Sequence, residues 1–310
     1  MSTRSLVGRA SAARAVGGAR ALASLVKLSH TVFAAPFAIA AALLATRRPH
    51  EPITWARVGA IAVCLVAART AAMAYNRLID RDVDARNPRT ATREIPAGIV
   101  GVGRARALVA VCCALFVGGA ALLGRTPLLL APVVLGVLLG YSHAKRFTWA
   151  AHAWLGVALA LAPGGAWIAV GARPEPGIVA LMVGVAAWVG GFDVLYSLQD
   201  EAFDRDAGLR SIPARFGARR ALGLSRLAHV VAVVALASAG WLLGAGWGYV
   251  GAVALVATLL AYEQSLLRPI AGTDRVSLDR LDKAFFDING WVSLGFLALV
   301  ALDVIVLRRP

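Results

Sequence analysis

Charged residues are scarce in this chain. Asp, Glu, Lys and Arg make up 16% of its 310 residues and apolar residues 59%, whereas soluble domains have about 25% charged and about 45–50% apolar residues. Long apolar runs recur from one end of the sequence to the other, and the mean hydropathy is +0.71. This composition excludes a water-soluble globule and a disordered chain. It predicts an all-α, polytopic membrane protein.

Cysteine and acidic residues are also few. The three cysteines are Cys64 and the adjacent pair Cys112 and Cys113, a spacing that provides neither a disulfide framework nor a metal site. The 17 Asp and Glu residues are outnumbered by 32 Lys and Arg, so the formal net charge is +15. The excess cations lie in short loops between apolar segments, as they do on the cytoplasmic face of membrane proteins. We therefore expect a lipid bilayer as a partner and no nucleic acid.

Nine segments are long and apolar enough to cross a bilayer, which takes about 20 helical residues. They are residues 24–46, 53–76, 106–124, 127–144, 149–171, 176–199, 222–244, 246–267 and 286–307. Residues 1–23 form a basic arm that we expect to be disordered. Seven arginines between positions 77 and 106 and six between positions 200 and 226 indicate that these two long loops are cytoplasmic.

Polar side chains follow the second apolar segment at helical spacing. Asn76, Asp80 and Asp84 recur every four residues, so one helical face carries all three. Like charges at this spacing weaken an exposed helix by about 0.2–0.5 kcal/mol, so the pattern needs a functional reason. Mg²⁺ prefers oxygen ligands and typically joins one or two carboxylates to substrate phosphates. The motif therefore predicts a magnesium site that binds a diphosphate.

A second acidic motif ends the sixth apolar segment, where Asp193, Tyr196, Asp200 and Asp204 share one helical face. Asp200 and Asp204 each lie 120 residues after an aspartate of the first motif, and an Ile-Pro-Ala phrase follows both motifs. This predicts an internal duplication, with pseudo-repeats at roughly 24–145 and 146–267 and one final helix. Each repeat would supply one metal-binding wall of a shared site.

Cationic and phenolic side chains lie near the ends of the same helices. Arg69 is seven residues before Asn76, two helical turns deeper on the same face, and an arginine at that depth requires the acidic site or a bound anion as its partner. Tyr141, Lys145 and Arg146 lie at the cytoplasmic end of the fourth segment. Lys145 and Arg146 are equally well explained as diphosphate ligands or as topology signals.

The motifs N-x-x-x-D-x-x-x-D and D-x-x-x-D on nine apolar segments resemble the UbiA superfamily of intramembrane aromatic prenyltransferases. The resemblance covers residues 24–307 of a domain that we place at 24–310. It implies a bundle of about nine transmembrane helices around a central cavity. Arg77 departs from the pattern, because many members carry aspartate directly after the asparagine. The phrases Tyr141-Ser-His-Ala-Lys-Arg-Phe and Asn289-Gly-Trp are similar to a UbiA-like branch.

Members of that branch are usually described as 4-hydroxybenzoate polyprenyltransferases, and some belong to the futalosine route to menaquinone. The resemblance implies transfer of a polyprenyl group from polyprenyl diphosphate to a ring carbon of an aromatic acid. The acid would be 4-hydroxybenzoate or 1,4-dihydroxy-6-naphthoate, and the setting quinone biosynthesis at a bacterial inner membrane. Two Mg²⁺ ions would bridge the diphosphate, held by Asn76, Asp80, Asp84, Asp200 and Asp204.

The resemblance also implies roles for the remaining polar residues. Lys145 and Arg146 would add positive charge to the diphosphate, and Arg69 would contact either the diphosphate or the acceptor carboxylate. The rings of Tyr196 and Tyr141 would shield an allylic cation. Asp193 would orient the acceptor or pair with Arg69.

Two other functions stay open at this point. Another superfamily prenyltransferase would share the motifs and differ in its acceptor. A repeat-built transporter would also carry intramembrane charges, but it would form no prenylated product and would be indifferent to removal of Mg²⁺. CDP-alcohol phosphotransferases pair aspartates in a membrane too, but their D-G-x-x-A-R phrase is missing from this sequence.

Overall fold

The computed structural model describes residues 33–270, 272–281 and 283–307. Its α-helices, numbered in chain order, are α1 (Ala35–Ala45), α2 (Trp55–Ile79), α3 (Arg81–Asp84), α4 (Val102–Leu123), α5 (Arg125–Phe147), α6 (Ala151–Ala169), α7 (Pro176–Ser197), α8 (Glu201–Asp206), α9 (Ile212–Phe216), α10 (Ala218–Leu243), α11 (Trp247–Leu266) and α12 (Asn289–Ala301). A 3₁₀ turn, Leu198–Asp200, joins α7 to α8, and π-helical segments, Lys283–Ile288 and Leu302–Val306, flank α12.

Eight helical segments in the described part of the chain are long and apolar enough to cross a membrane. They are α2, α4, α5, α6, α10 and α11, together with Pro176–Asp206 and Phe286–Val306. The first predicted segment, 24–46, is represented by α1; its residues 24–32 and the arm at 1–23 lie outside the described residues. The predicted all-α architecture with about nine apolar helices is confirmed.

The boundary between the third and fourth predicted segments is a single residue. Gly124 separates α4 from α5 and has φ 127°, a backbone conformation that glycine adopts without steric cost. Because one residue reverses the chain here, α5 begins at Arg125, two residues before its predicted start at 127. The sequence therefore contains two spans at this point.

Large apolar side chains face outward around the bundle. Leu122 and Trp241 are each 82% exposed, and Trp55 is 91% exposed. Such a surface suits lipid rather than water, and helices satisfy their own backbone hydrogen bonds in a bilayer. The chain is an integral membrane protein.

Helix α7 lies at the centre of the packing, against α6 and α10. Its Trp188 is only 1% exposed. A Cβ atom at Gly156 on α6 would lie 2.2 Å from the carbonyl oxygen of Ala186 on α7, so this pair of helices approaches at a distance that only glycine allows. Residues of α6 and α7 line a cavity together with residues of α2, α4 and α5.

Asp303 connects several helices by hydrogen bonds. It lies at the end of the bundle opposite the acidic motifs. Its carboxylate accepts hydrogen bonds from the backbone N–H groups of Gly246 (2.9 Å) and Gly248 (3.0 Å), and from the guanidinium of Arg47 (3.0 Å). The side chain is only 1% exposed. One buried carboxylate thus joins the end of α1, the start of α11 and the last helix.

We expect Asp303→Ala to destabilise the protein by about 3 kcal/mol, because it leaves the Arg47 charge and two backbone donors without their partner. Thermal unfolding in detergent should show a clear drop in Tm. Glu51→Gln is the matched control, since Glu51 is an exposed carboxylate at the same end of the bundle. Equal Tm values for the two variants would contradict a structural role for Asp303.

Candidate active site

The first acidic motif follows the end of α2. Asp80 leaves the helical conformation (φ −88°, ψ 1°), and α3 begins directly after it. The backbone N–H of Asp80 still donates to the carbonyl of Asn76 (2.9 Å), and that of Asp84 donates to Asp80 (2.7 Å). The side-chain amide of Asn76 donates to Oδ2 of Asp80 (2.9 Å). The predicted continuous helix is wrong at Asp80, but the stacking of the motif is retained.

The second motif is interrupted in a similar way. α7 ends at Ser197, and the 3₁₀ turn Leu198–Asp200 precedes α8. The prediction of one continuous helical face from Asp193 to Asp204 is therefore wrong, because the tighter turn rotates the later residues. Asp200 and Asp204 are 8% and 2% exposed, so both carboxylates are buried and require cationic partners.

Two adjacent cations at the end of α5 connect the motifs. Arg146 donates to Oδ1 of Asp80 (3.1 Å), and Lys145 donates to Oδ2 of Asp204 (3.1 Å). Because these cations are neighbours in sequence, the aspartates of the two motifs lie at one site. The sequence prediction that two distant stretches of the chain converge agrees with this geometry.

Three further side chains at this site follow the first motif, and their spacing in the sequence predicted no role for them. Arg89 donates through Nε to Oδ1 of Asp200 (2.9 Å) and through Nη2 to Oδ2, and Asn87 donates to Oδ1 of Asp200 (3.2 Å). Arg93 donates to Oδ1 of Asp84 (2.7 Å). All three lie in the arginine-rich loop, whose composition indicated only its side of the membrane. Their position directly after the aspartates was the available clue.

A cavity of about 560 Å³ opens beside the acidic site. Five residues singled out from the sequence line it, and they are Arg69, Asn76, Tyr141, Asp193 and Tyr196. Apolar side chains of α2, α4, α5, α6 and α7 form the rest of the wall. The four paired aspartates are not among its lining residues, but Asn76 and Arg93 line it and bind Asp80 and Asp84.

Asp193 and Arg69 have different partners from the pairing considered in the sequence analysis. Asp193 binds His152, whose Nδ1 lies 2.6 Å from Oδ2 of the carboxylate. Nε of Arg69 is buried and has no hydrogen-bond partner among the described residues. Arg69 is thus a cation in the cavity wall whose Nε–H donor is free to bind a ligand.

The ring of Tyr196 is in contact with a cation. The guanidinium carbon of Arg89 lies 5.7 Å from the ring centroid, within the range of a cation–π contact. Phe286 packs against the same ring with its centroid 6.4 Å away. This part of the cavity wall therefore favours positive charge.

The donor set fits divalent cations. Four carboxylates and the Asn76 amide offer only oxygen ligands, which Mg²⁺ prefers, and Oδ2 of Asp84 is buried without a hydrogen-bond partner among the described residues. Burial raises the pKa of the Asp80 carboxyl; the Arg146 charge lowers it, and the Asp84 carboxylate raises it again. Three or more acidic or imidazole groups do not cluster tightly anywhere in the described ranges, so a divalent cation bound here would take further oxygen ligands from water or a bound phosphate.

Fold and site together define an integral membrane protein with a carboxylate- and cation-rich site at one end of an apolar cavity. Residues 34–282 match the sequence model of the UbiA prenyltransferase family. A protein named 4-hydroxybenzoate octaprenyltransferase from Citrobacter koseri is 30% identical over 237 residues, 76% of this chain and 79% of that protein. A Vibrio cholerae protein of the same name is 32% identical over 207 residues, 64% of this chain and 70% of that protein.

Solved structures show the same fold. A UbiA homologue from Aeropyrum pernix K1 superposes with a TM-score of 0.79 and 35% identity, over 90% of this chain and 99% of that chain. A UbiA homologue from Archaeoglobus fulgidus bound to GPP and Mg²⁺ superposes with a TM-score of 0.70 and 18% identity, over 91% and 99% of the two chains. The chain belongs to the UbiA prenyltransferase family and is a prenyltransferase, as the resemblance of its motifs implied.

Proposed function

We propose that the protein transfers a polyprenyl group from polyprenyl diphosphate to a ring carbon of 4-hydroxybenzoate. The observation that carries the proposal is the convergence of both aspartate motifs on Lys145 and Arg146. The site lies beside a cavity lined by Arg69, whose Nε has no hydrogen-bond partner among the described residues. The names of the Citrobacter and Vibrio relatives support this acceptor. 1,4-Dihydroxy-6-naphthoate, also a hydroxylated aromatic acid, is the competing acceptor.

The diphosphate binds at the acidic end of the cavity. We infer that Asp80, Asp84 and Asn76 hold one Mg²⁺ ion and that Asp200 and Asp204 hold a second. Bound Mg²⁺ would supply Lewis-acid neutralisation of the diphosphate oxygens, an effect of several kcal/mol (roughly 3–6) on the departing charge. The unpartnered Oδ2 of Asp84 supports this assignment.

The cations of this chain complete the diphosphate site. Arg89, Arg93, Lys145 and Arg146 each bind one of the four aspartates, so each lies within reach of an anion that those aspartates hold through a metal. Their fixed positive charge stabilises the electron pair that leaves with the diphosphate when the allylic C–O bond breaks. The cleavage generates positive charge on the allylic carbon, which then forms the new C–C bond as the ring loses a proton.

The aromatic rings at the cavity wall stabilise the positive charge on the allylic carbon. Tyr196 already accepts the Arg89 guanidinium over its ring face, and an allylic cation makes the same type of contact. Tyr141 lines the cavity on the opposite helix, α5. The two rings exclude water, which would otherwise capture the allylic group as an alcohol.

Arg69 is our candidate for the acceptor carboxylate. Eleven residues separate it from Asp80, about 16 Å along a helix axis, so its position in the cavity is deeper than the diphosphate end. Four other cations already serve the aspartates, whereas Nε of Arg69 has no partner within the described ranges. Arg binds carboxylates bidentately, which also fixes the orientation of a planar aromatic acid.

The bilayer explains the placement of the site. Each CH₂ group removed from water contributes about 0.8 kcal/mol, so a long isoprenoid tail remains among apolar helices. The polar acceptor enters from water at the end of the bundle that carries the arginine-rich loops. We place this end in the cytoplasm, at the inner membrane of a bacterial cell, because loops on that side are rich in Lys and Arg.

An assay with purified protein in detergent tests the proposal. We expect release of pyrophosphate and a prenylated 4-hydroxybenzoate by mass spectrometry, with loss of activity in EDTA and recovery on addition of Mg²⁺. 1,4-Dihydroxy-6-naphthoate run in parallel decides between the two acceptors. If neither acid is prenylated, the acceptor of this prenyltransferase is a different compound, and activity that is indifferent to EDTA would refute the role of Mg²⁺.

A further inference from the structure

We propose that His152 is a positioning residue that fixes the carboxylate of Asp193 for the hydroxyl group of the aromatic acceptor. This inference rests on the proposed function, because it assigns Asp193 to the acceptor side of the cavity. His152 does not line the cavity and acts through Asp193.

The contacts of His152 define its protonation state. Nε2 accepts a hydrogen bond from the backbone N–H of Ile212 (3.3 Å), so this nitrogen carries no proton. Nδ1 lies 2.6 Å from Oδ2 of Asp193 and must then be the donor. The imidazole is therefore the neutral tautomer with its proton on Nδ1. It is 1% exposed, so water does not compete for either contact.

The partner carboxylate reaches into the cavity. Asp193 lines the cavity wall, and its side chain is 16% exposed. His152 engages Oδ2, and this is the one hydrogen bond that the Asp193 carboxylate makes within the part of the chain that the structure describes. A carboxylate held at one oxygen presents its other oxygen in one orientation. A phenolic O–H of the acceptor is a suitable donor to that free oxygen.

The other contact of His152 leads to the segment after the second aspartate motif. Besides the Ile212 N–H, this segment is held by Arg210, whose backbone N–H donates to the carbonyl of Lys145 (2.7 Å) and whose guanidinium donates to the carbonyl of Phe147 (2.6 Å). Lys145 in turn binds Asp204. His152 thus connects Asp193 to the same segment that contacts the diphosphate site. This connection fixes the positions of the two substrates relative to each other.

Two amide substitutions separate the contacts of His152. In His152→Asn the side-chain amide takes the place of Nδ1 and can still donate a hydrogen bond to Asp193. In His152→Gln the amide takes the place of Nε2, so only the contact with the Ile212 N–H is kept. We expect His152→Gln to raise KM for the aromatic acid about tenfold, the effect of one charge-assisted hydrogen bond. His152→Asn should stay within about twofold of the wild type, and KM for polyprenyl diphosphate should change little in either variant. Similar KM values for the two variants would overturn the proposal.

A spectroscopic measurement tests the contacts without turnover. In ¹⁵N-histidine NMR of the full chain, which has five histidines, the signal lost in His152→Gln should show a protonated Nδ1 and an unprotonated Nε2. Asp193→Asn should shift this signal, and a protonated Nε2 would refute the assignment. A wild type that has this tautomer but forms no prenylated acid would contradict the proposed function instead, so the two failures are distinguishable.

Discussion

Replacing Asp80 or Asp200 by asparagine should lower the rate of prenyl transfer about a thousandfold, because on the proposed mechanism each change removes a charge that holds a divalent cation on the diphosphate. Asparagine has nearly the same volume and retains one oxygen, so packing is preserved. The loss should appear in kcat, since the metal stabilises charge that develops as the C–O bond breaks. Pyrophosphate release at saturating Mg²⁺ and substrates measures the effect.

Each motif has a matched control within it or directly beside it. Asp82 lies between the aspartates of the first motif, but its side chain is 77% exposed, and Asp206 is an exposed carboxylate at the end of α8. Asp82→Asn and Asp206→Asn remove the same charge from the same segments, and we expect activity within about twofold of the wild type for such surface changes. Full activity in Asp80→Asn and Asp200→Asn would refute the metal assignment.

The sequence predicted the features that depend on local spacing. Asn76 and Asp80 share a face because four residues make about one helical turn, and the structure joins their side chains. The family followed from two short motifs in an apolar chain, and the comparisons confirm it. Length and hydropathy alone were enough for the helices, since a bilayer permits few alternatives to a spanning helix.

Contacts between distant residues were not predictable in the same way. His152 and Asp193 are 41 residues apart, and Arg89 and Asp200 are 111 apart; no periodicity links either pair. The broken helical faces after Ile79 and Ser197 were also missed, because a 3₁₀ turn or a single kinked residue leaves no signal in the spacing of aspartates. The same arginine can signal topology and bind a carboxylate, and composition does not separate the two roles.

Charge balance explains how the fold accommodates four neighbouring carboxylates at this site. A buried carboxylate without a partner is strongly unfavourable, and the structure gives each of the four aspartates one arginine or lysine. Arg69 has no such acidic partner among the described ion pairs, although it lines the cavity. This unsatisfied donor is why we propose that Arg69 binds an anionic ligand.

Arg69→Met should raise KM for 4-hydroxybenzoate about a hundredfold, or roughly 3 kcal/mol, because the acceptor carboxylate loses its charged partner inside the cavity. Methionine is an unbranched side chain that fills much of the same space without the charge. KM for polyprenyl diphosphate should remain nearly unchanged, since Arg69 lies two turns deeper than Asn76. Arg57→Met on the same helix is the control, because Arg57 binds the carbonyl of Ala169 and does not line the cavity.

A neutral acceptor isolates the carboxylate contact. With 4-hydroxybenzamide in place of 4-hydroxybenzoate, Arg69→Met and the wild type should give similar KM values, because the amide offers no charge for Arg69 to bind. The ratio of the two KM values therefore reports the ion pair itself. If the substitution instead raised KM for polyprenyl diphosphate and left that of the aromatic acid unchanged, Arg69 would belong to the diphosphate site, and another cation would have to bind the acceptor.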